Sequence, residues 1–458
     1  MFLLWNLELF YTKTLYFVKL MMKLNMQNID YSQIQTAAGL SNLCDVPTGL
    51  SPTVKEKKIL RDLALRVKEL SSRPIEDEKK KLWTSHNDLK LVRPLVFCDP
   101  ENGWNEIITQ DQILCTDPLL RVWEMALRKE IFWGEEMQDD RVIEDVFYVP
   151  YFYKDTGYGL TEIKEQTDAS GSFRYISPIK NYDEDFEKLM IPQIEVNEQN
   201  TLAIKNMAEE LFGDILSVRL RGIWWWSLGM TWDYIKLRGL ENLMLDMMLE
   251  PDWVHRMMDF LTQSVHSRLN YLETNHLLSL NTGGTYVGSG GFGWTKELPE
   301  NLLQEQITTK DMWGFCESQE TVGISPEMFA EFILPYQLTI MERFGLNCYG
   351  CCEPLDLRWK YICKIPRLRR VSVSPWANIP QMAEFLEDKY IMSIKPSPTP
   401  LAQPNIDEAS IRKSLEDTLR ETKGCHVELI MKDNHTLGNN PLNATRWCKI
   451  AKELVCNL

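Results

Sequence analysis

Along this chain, short β-rich apolar runs alternate with longer stretches whose apolar positions recur at helical spacing, with loops of small or polar residues between. The runs that predict strands are 93–97 (RPLVF), 216–222 (LSVRLRG), 278–282 (LSLNT), 312–316 (MWGFC), 346–350 (LNCYG), 370–374 (RVSVS), 390–394 (YIMSI) and 427–432 (VELIMK). The clearest predicted helix spans 251–276, where Val254, Met257, Met258, Leu261, Val265, Leu269 and Leu272 form one stripe behind Pro251. Another starts at Ser325-Pro326, a cap followed by a first-turn proline, and stops at Gly345. Strands alternating with helices imply a parallel sheet, and eight such units can close on themselves and remove both sheet edges. The expected fold is therefore a (β/α)8 TIM barrel forming one domain over 51–458.

Charge-rich residues 55–82 predict helices at the N-terminal side, with their basic runs on solvated faces. Residues 98–215 are too many for one crossover and read as an insertion, with the aromatic run 146–159 (VFYVPYFYKDTGYG) as a small subdomain or lid. An open doubly wound sheet is the alternative, but no Gly-rich dinucleotide fingerprint follows the first strand. GSGGFG at 288–293 lies too far from a strand and leads into no helix start, which argues against a phosphate loop.

Composition narrows the function. A chain of 458 residues that is 44% hydrophobic and 25% charged can bury a sizeable core. Its formal charge of −15 argues against nucleic acid as a partner, since such binding needs a field of Lys and Arg. The 11 cysteines are odd in number and scattered, which fits a reducing cytoplasm better than a disulfide scaffold. The first 24 residues are apolar and aromatic, but Glu8, Lys13, Lys19 and Lys23 interrupt every run long enough to span a bilayer. With no basic segment before them and no small-residue cleavage site, they read as a packing or interfacial helix, or as an upstream extension of a frame starting at Met21, Met22 or Met26. No membrane association is expected, and residues 1–50 are expected to be an extension with little order.

In a (β/α)8 barrel the reactive groups sit at the C-terminal ends of the strands. Here those ends carry Glu317 and Glu320, the pair Cys351-Cys352, Trp376, Lys395, and Asp433 with His435. Thiolate and imidazole are zinc ligands, and a catalytic zinc takes three protein ligands with one open position. The candidate metal ligands are therefore Cys351, Cys352 and His435, and the candidate catalytic carboxylates Glu320, Asp433 and Glu317. Successive strand-end side chains point in different directions, which favours Cys351 over Cys352. Each cysteine is equally readable as a small buried apolar residue, His435 as a loop histidine oriented by Asp433, and each glutamate as a solvated loop carboxylate. Trp226, Asn281, Tyr286, Trp294, Tyr349, Trp376 and Lys395 are the candidate substrate-binding residues, their rings suited to an apolar pocket for an aromatic or methylated compound. The helically spaced Met244, Met247, Met248, Met257 and Met258 read as core.

The segments SQETVGISPEMFAEFILPY (318–336), FGLNCYGCCEPLDLRW (344–359), LRRVSVSPWANI (368–379), YIMSIKPSPTP (390–400) and VELIMKDNHT (427–436) resemble the uroporphyrinogen decarboxylase superfamily, in particular its corrinoid-dependent methyltransferase branch. The resemblance extends over roughly 55–455 and implies the same barrel. In that branch zinc is held by a His-x-Cys pair and a later Cys; Cys351 matches the first Cys, but Tyr349 stands in the place of the His, and Asp433 and His435 replace the last Cys. Cys351, His435 and Glu320 are the rearranged set that the resemblance suggests. True decarboxylases of the superfamily carry an Arg-rich N-terminal motif of the form R-x-P-x-W-x-M-R-Q-A-G-R-Y, of which residues 92–97 keep only Arg93-Pro94. The resemblance thus implies zinc-assisted methyl transfer between a small methylated substrate and a corrinoid carried by a separate protein, with Glu320 or Asp433 accepting a proton or supporting His435. A homodimer is a further expectation. The alternatives are a barrel that binds tetrapyrrole, corrinoid or folate without turnover, or a decarboxylase.

Overall fold

A computed structural model describes residues 51–457 except 162, 167–172, 223, 225 and 300–305, so the expectations for residues 1–50 lie outside the described residues. The parallel strands, in chain order, are β1 (Leu95–Cys98), β2 (Val146–Pro150), β3 (Ser217–Arg221), β4 (Trp313–Cys316), β5 (Leu346–Tyr349), β6 (Leu368–Val373), β7 (Ile391–Ile394) and β8 (His426–Met431). Six of them form one sheet in the order β1-β8-β7-β6-β5-β4, every neighbour parallel. β2 and β3 pair with each other, also in parallel. All four residues of β1, β4, β5 and β7 are buried, as expected of strands covered on both faces.

Two expectations are corrected here. Residues 278–282 form no strand, and the backbone ladder does not close into a barrel. The reason is visible at the two edges of the six-stranded sheet. At the β4 edge the side chain of Asn281 takes the place of a neighbouring strand: its Nδ2 donates to the Trp313 carbonyl at 2.9 Å, and its Oδ1 accepts from the Trp313 N–H at 2.9 Å. At the β1 edge Asp140 Oδ2 accepts from Val96 N at 2.8 Å and Asp139 Oδ2 from Cys98 N at 2.9 Å. Once side chains satisfy an edge, its polar groups no longer require a strand. The insertion expected over 98–215 contains β2, which pairs in parallel with β3.

The glycine-rich stretch has a packing task. Tyr286–Val287 and Gly291–Phe292 make a small antiparallel hairpin whose tip lies against the inward face of the sheet. Gly288 has φ +71°, and a Cβ there would stand 2.8 Å from Cys348 Cβ; one on Gly291 would stand 2.5 Å from Arg370 Cζ. Only glycine permits this approach.

Helix α1 (Val54–Ser71) begins with a capping box between Thr53 and Glu56, and α2 (Pro74–Asn87) follows it. Leu60, Ala64, Val67 and Leu70 of α1 and Trp83 of α2 are buried in the core, and even Lys79 is buried, donating to the Arg141 carbonyl at 2.9 Å. Helix α3 (Pro118–Phe132) packs on α1, and α4 (Pro251–Thr274) buries the stripe predicted from its spacing. Ser325 caps the helix Pro326–Phe332 by accepting from Met328 N at 3.1 Å. Helix α5 (Leu442–Cys456) lies against β1. Among the described residues no helix is long and apolar enough to cross a membrane.

Candidate functional site

Because the six strands run parallel, their C-terminal ends meet on one rim, beneath which the inward-facing side chains form a charged floor. Arg370 on β6 and Glu428 on β8 form an ion pair at 3.0 Å, with both side chains buried. Arg370 Nη2 also donates to Asn87 Oδ1 at 2.6 Å, His86 Nε2 lies 3.3 Å from Glu428, and Ser393 donates to the same carboxylate. Burial alone would raise the Glu428 pKa, but Arg370 and His86 outweigh it and hold the carboxylate below its usual range. Above this floor the Lys395 ammonium donates to Ser393 Oγ at 2.6 Å, and burial pulls its pKa down to about 8.

At the end of β5 the two thiols lie together, Cys351 Sγ 3.6 Å from Cys352 Sγ. Cys351 is buried and its sulfur accepts from Ser289 Oγ at 3.2 Å; Cys352 is exposed. Through their shared hydrogen bond the pair holds its proton asymmetrically: Cys351 is pushed well above the ordinary thiol pKa by that bond and by burial, and Cys352 is drawn below it by the bond from Cys351. Lys432 stands behind them, 3.4 Å from Ser289 Oγ and 3.5 Å from both Glu101 and Asp433. Burial opposes its charge, but Glu101, Asp433 and the thiols more than offset this and keep it cationic.

Three carboxyl groups crowd the β4 end. Glu317, 1% exposed, accepts from Ser227 Oγ at 3.0 Å and from Gln319 N at 2.9 Å. Burial first, then the charges of Glu320 and Glu353, push its pKa well above the usual carboxylate range. Glu353 is fully buried and clamps the two loops, accepting from Ser318 N and Cys351 N at 2.9 Å each; burial raises its pKa as well. Glu320 accepts from Thr231 Oγ at 2.6 Å. The arrangement thus offers an exposed thiol drawn below its ordinary pKa, a cation whose charge acts on it and a buried carboxyl group pushed above the usual carboxylate range, the parts of nucleophilic and general-acid chemistry.

The residues singled out from sequence are distributed unevenly over this rim. Glu317, Glu320, Cys351 and Cys352 belong to it, and Lys395 lies beneath. Asp433 turns the chain with φ +61° beside Lys432, and His435, two residues on, is exposed with Nδ1 3.4 Å from Asn102 Nδ2. Trp376 is 77% exposed, Trp226 is half-exposed with its ring edge-on to Phe315, and Tyr286 donates its hydroxyl to Asp99 at the end of β1. Three others are occupied in holding the fold. Asn281 is the β4 edge bridge; Tyr349 is fully buried and donates to Gln337 Oε1 at 2.8 Å; Trp294 is buried, with Lys80 4.5 Å over its ring and its carbonyl accepting from Asn87 at 2.7 Å. Sequence reasoning assigned no role to Glu353, Lys432 or Ser289. The first two adjoin residues that were chosen, so proximity at a strand end was the available signal. Ser289 lies in the glycine stretch, whose approach to Cys351 no local pattern announces.

No family model matches this chain, and no curated protein matches it. Among solved structures it is similar to a methyltransferase from Methanosarcina mazei, with 11% sequence identity, a TM-score of 0.46, and coverage of 82% of this chain and 98% of that one. Likeness at this level carries nothing about chemistry.

The donor set bears directly on the zinc that the resemblance implies. Among the described residues no three His, Cys, Asp or Glu side chains are gathered as a metal site. The rim supplies two adjacent thiols, and His435, exposed beside Asn102, does not complete a three-ligand group with them. A catalytic zinc requires three protein ligands, so these residues do not fit it.

Proposed function

We propose that the protein is a methyltransferase whose first methyl acceptor is the Cys352 thiolate. The observation that carries this reading is the thiol pair at the rim, with the exposed Cys352 as the more acidic partner, on the same rim as Glu317, whose pKa burial pushes above the usual carboxylate range. In the proposed step the Cys352 sulfur attacks the methyl carbon of a small methylated donor. The S–C bond forms as the bond from carbon to the donor heteroatom breaks, and the departing electron pair takes the Glu317 proton. The charge of Lys432 favours the Cys352 thiolate, and Glu353 fixes the loops that carry Glu317 and the thiol pair. The proposed second carrier is a corrinoid on a partner protein, whose reduced metal would accept the methyl group as a formal cation and return Cys352 to thiolate.

The test combines two readouts on the full chain. Methylated thiols, amines and aryl ethers are offered as donors; methylation of Cys352 is read by peptide mass, and transfer onward by the absorbance of added reduced cobalamin. Cys352→Ser abolishes both signals, Glu317→Gln lowers the rate about 100-fold, and His435→Ala leaves it unchanged. Turnover that survives Cys352→Ser sinks the proposal, and cobalamin binding with no transfer from any donor points to a binding protein instead. Metal analysis tests the resident zinc separately: the donor set predicts less than one equivalent, and no difference between the wild type and His435→Ala.

A further inference from the structure

Among the described cysteines only Cys352, Cys363 and Cys456 are exposed, and of these Cys352 alone has a second thiol at its sulfur, Cys351 Sγ at 3.6 Å. Cys351 is 3% exposed, so a solute meets the pair through Cys352. The buried member is held in place. Its N–H donates to Glu353 Oε2 at 2.9 Å, its carbonyl accepts from Ser372 Oγ at 3.0 Å, and its sulfur accepts from Ser289 Oγ at 3.2 Å. A partner fixed in this way stays within reach of whatever forms on the exposed sulfur, so a reaction between the two is intramolecular and favoured by proximity. The geometry also sets a limit on the product. The peptide between the two residues is trans, which holds their Cα atoms about 3.8 Å apart, short of the roughly 4.4 Å at which ordinary disulfides begin. A bond between these sulfurs is therefore strained, and strained, exposed disulfides are the ones readily reduced.

We propose that the Cys351-Cys352 pair is a reversible oxidation site for hydroperoxides, closing to a disulfide between sequence neighbours. The Cys352 thiolate attacks one peroxide oxygen. The S–O bond forms as the O–O bond breaks, the departing oxygen takes up a proton, and the sulfur is oxidised to a sulfenic acid by the two electrons that reduce the peroxide. The Cys351 sulfur then attacks the Cys352 sulfur; the S–S bond forms as the S–O bond breaks, and the hydroxide leaves as water with the Cys351 proton. With hydrogen peroxide the products are one disulfide and two waters. For this the sulfurs close from 3.6 Å to a bond of about 2.0 Å. The disulfide stands on this geometry alone; only its consequence, loss of the Cys352 methyl acceptor, rests on the function proposed above.

The test treats the reduced full chain with hydrogen peroxide, with no methyl donor present, and maps its peptides by mass. Trypsin releases residues 344–358, which carry Cys348, Cys351 and Cys352, and chymotrypsin, cutting after Tyr349, frees the pair from Cys348. The fragment with the pair is expected to be lighter by two hydrogen atoms and to refuse iodoacetamide, and reduced glutathione returns both thiols. Cys351→Ser strands Cys352 as the sulfenic acid, so dimedone labels it about tenfold more than in the wild type. Cys352→Ser leaves Cys351 unoxidised, because peroxide meets the pair through the exposed sulfur. A linkage that retains Cys348 or joins two chains, equal dimedone labelling of the wild type and Cys351→Ser, or a disulfide that glutathione does not reopen would overturn the assignment. Methyl transfer to reduced cobalamin, measured on the same preparations, separates the two readings: a disulfide that forms in a protein with no transfer activity leaves the oxidation site standing and sinks only the methyltransferase.

Discussion

At the scale of single residues, the molecule is shaped by how buried charges find partners. Cys352 owes its acidity to a hydrogen bond from a neighbour that keeps its own proton, so its reactivity is predicted to follow that neighbour. The rate of Cys352 alkylation by iodoacetamide should reach half its maximum below the pH of about 8.5 that suits a free thiol, and Cys351→Ser should move the midpoint up. An unshifted midpoint in that variant would contradict the shared-proton account. Glu428 illustrates the opposite case, a charge held in place by Arg370. Because its folded pKa lies below the unfolded one, its contribution to stability is complete above the unfolded value of about 4.3 and is lost as pH falls through the folded value. Glu428→Gln leaves Arg370 buried without its counter-charge and should cost about 3–5 kcal/mol in urea unfolding, with a weaker loss of stability in acid than the wild type. At this scale the sequence was only partly legible. Glu317 and the cysteines were recognisable as chemistry at strand ends, but His435 joins no three-ligand group among the described residues, and Glu353 acquires its role by bonding Ser318 N, in a loop 35 residues away.

Among the elements, β4 to β8 and α4 were readable because their burial leaves a local signature: continuous apolar runs for strands covered on both faces, and a 3.6-residue stripe for the helix. LSLNT at 278–282 carried the same alternation and still formed no strand, since Asn281 uses its side chain to complete the β4 edge. VFYVP at 146–150, whose rings marked an insertion rather than a strand, pairs in parallel with β3. This difference is measurable. Asn281→Ala removes both bonds to Trp313 and should destabilise the protein by about 2–5 kcal/mol, with faster exchange of the Trp313 amide. Ser325→Ala, which removes an ordinary helix cap, should cost only about 1 kcal/mol. If the two substitutions cost the same, Asn281 is not a substitute strand edge.

Over the whole molecule, Asp140 joins parts of the chain that are far apart in sequence. Its carboxylate accepts from Val96 N at 2.8 Å on β1, from Arg93 at 2.6 Å and from Lys452 of α5 at 2.5 Å. Burial works against its charge, and the two cations restore it, holding the pKa below the usual range. Asp140→Asn should therefore lower global stability by about 3 kcal/mol and slow amide exchange should be lost along both β1 and α5. Loss confined to β1 would show that α5 is held by packing alone. By itself the sequence determined the parallel alternation of strand and helix, and hence the rim on which reactive side chains gather, because these follow from periodicities local to each segment. Only the tertiary structure decided that side chains would finish the sheet edges, that the glycine hairpin would lie against the inward face, and that the two thiols would gather no third ligand among the described residues. Each of those outcomes depends on contacts between residues distant along the chain, which no local period encodes.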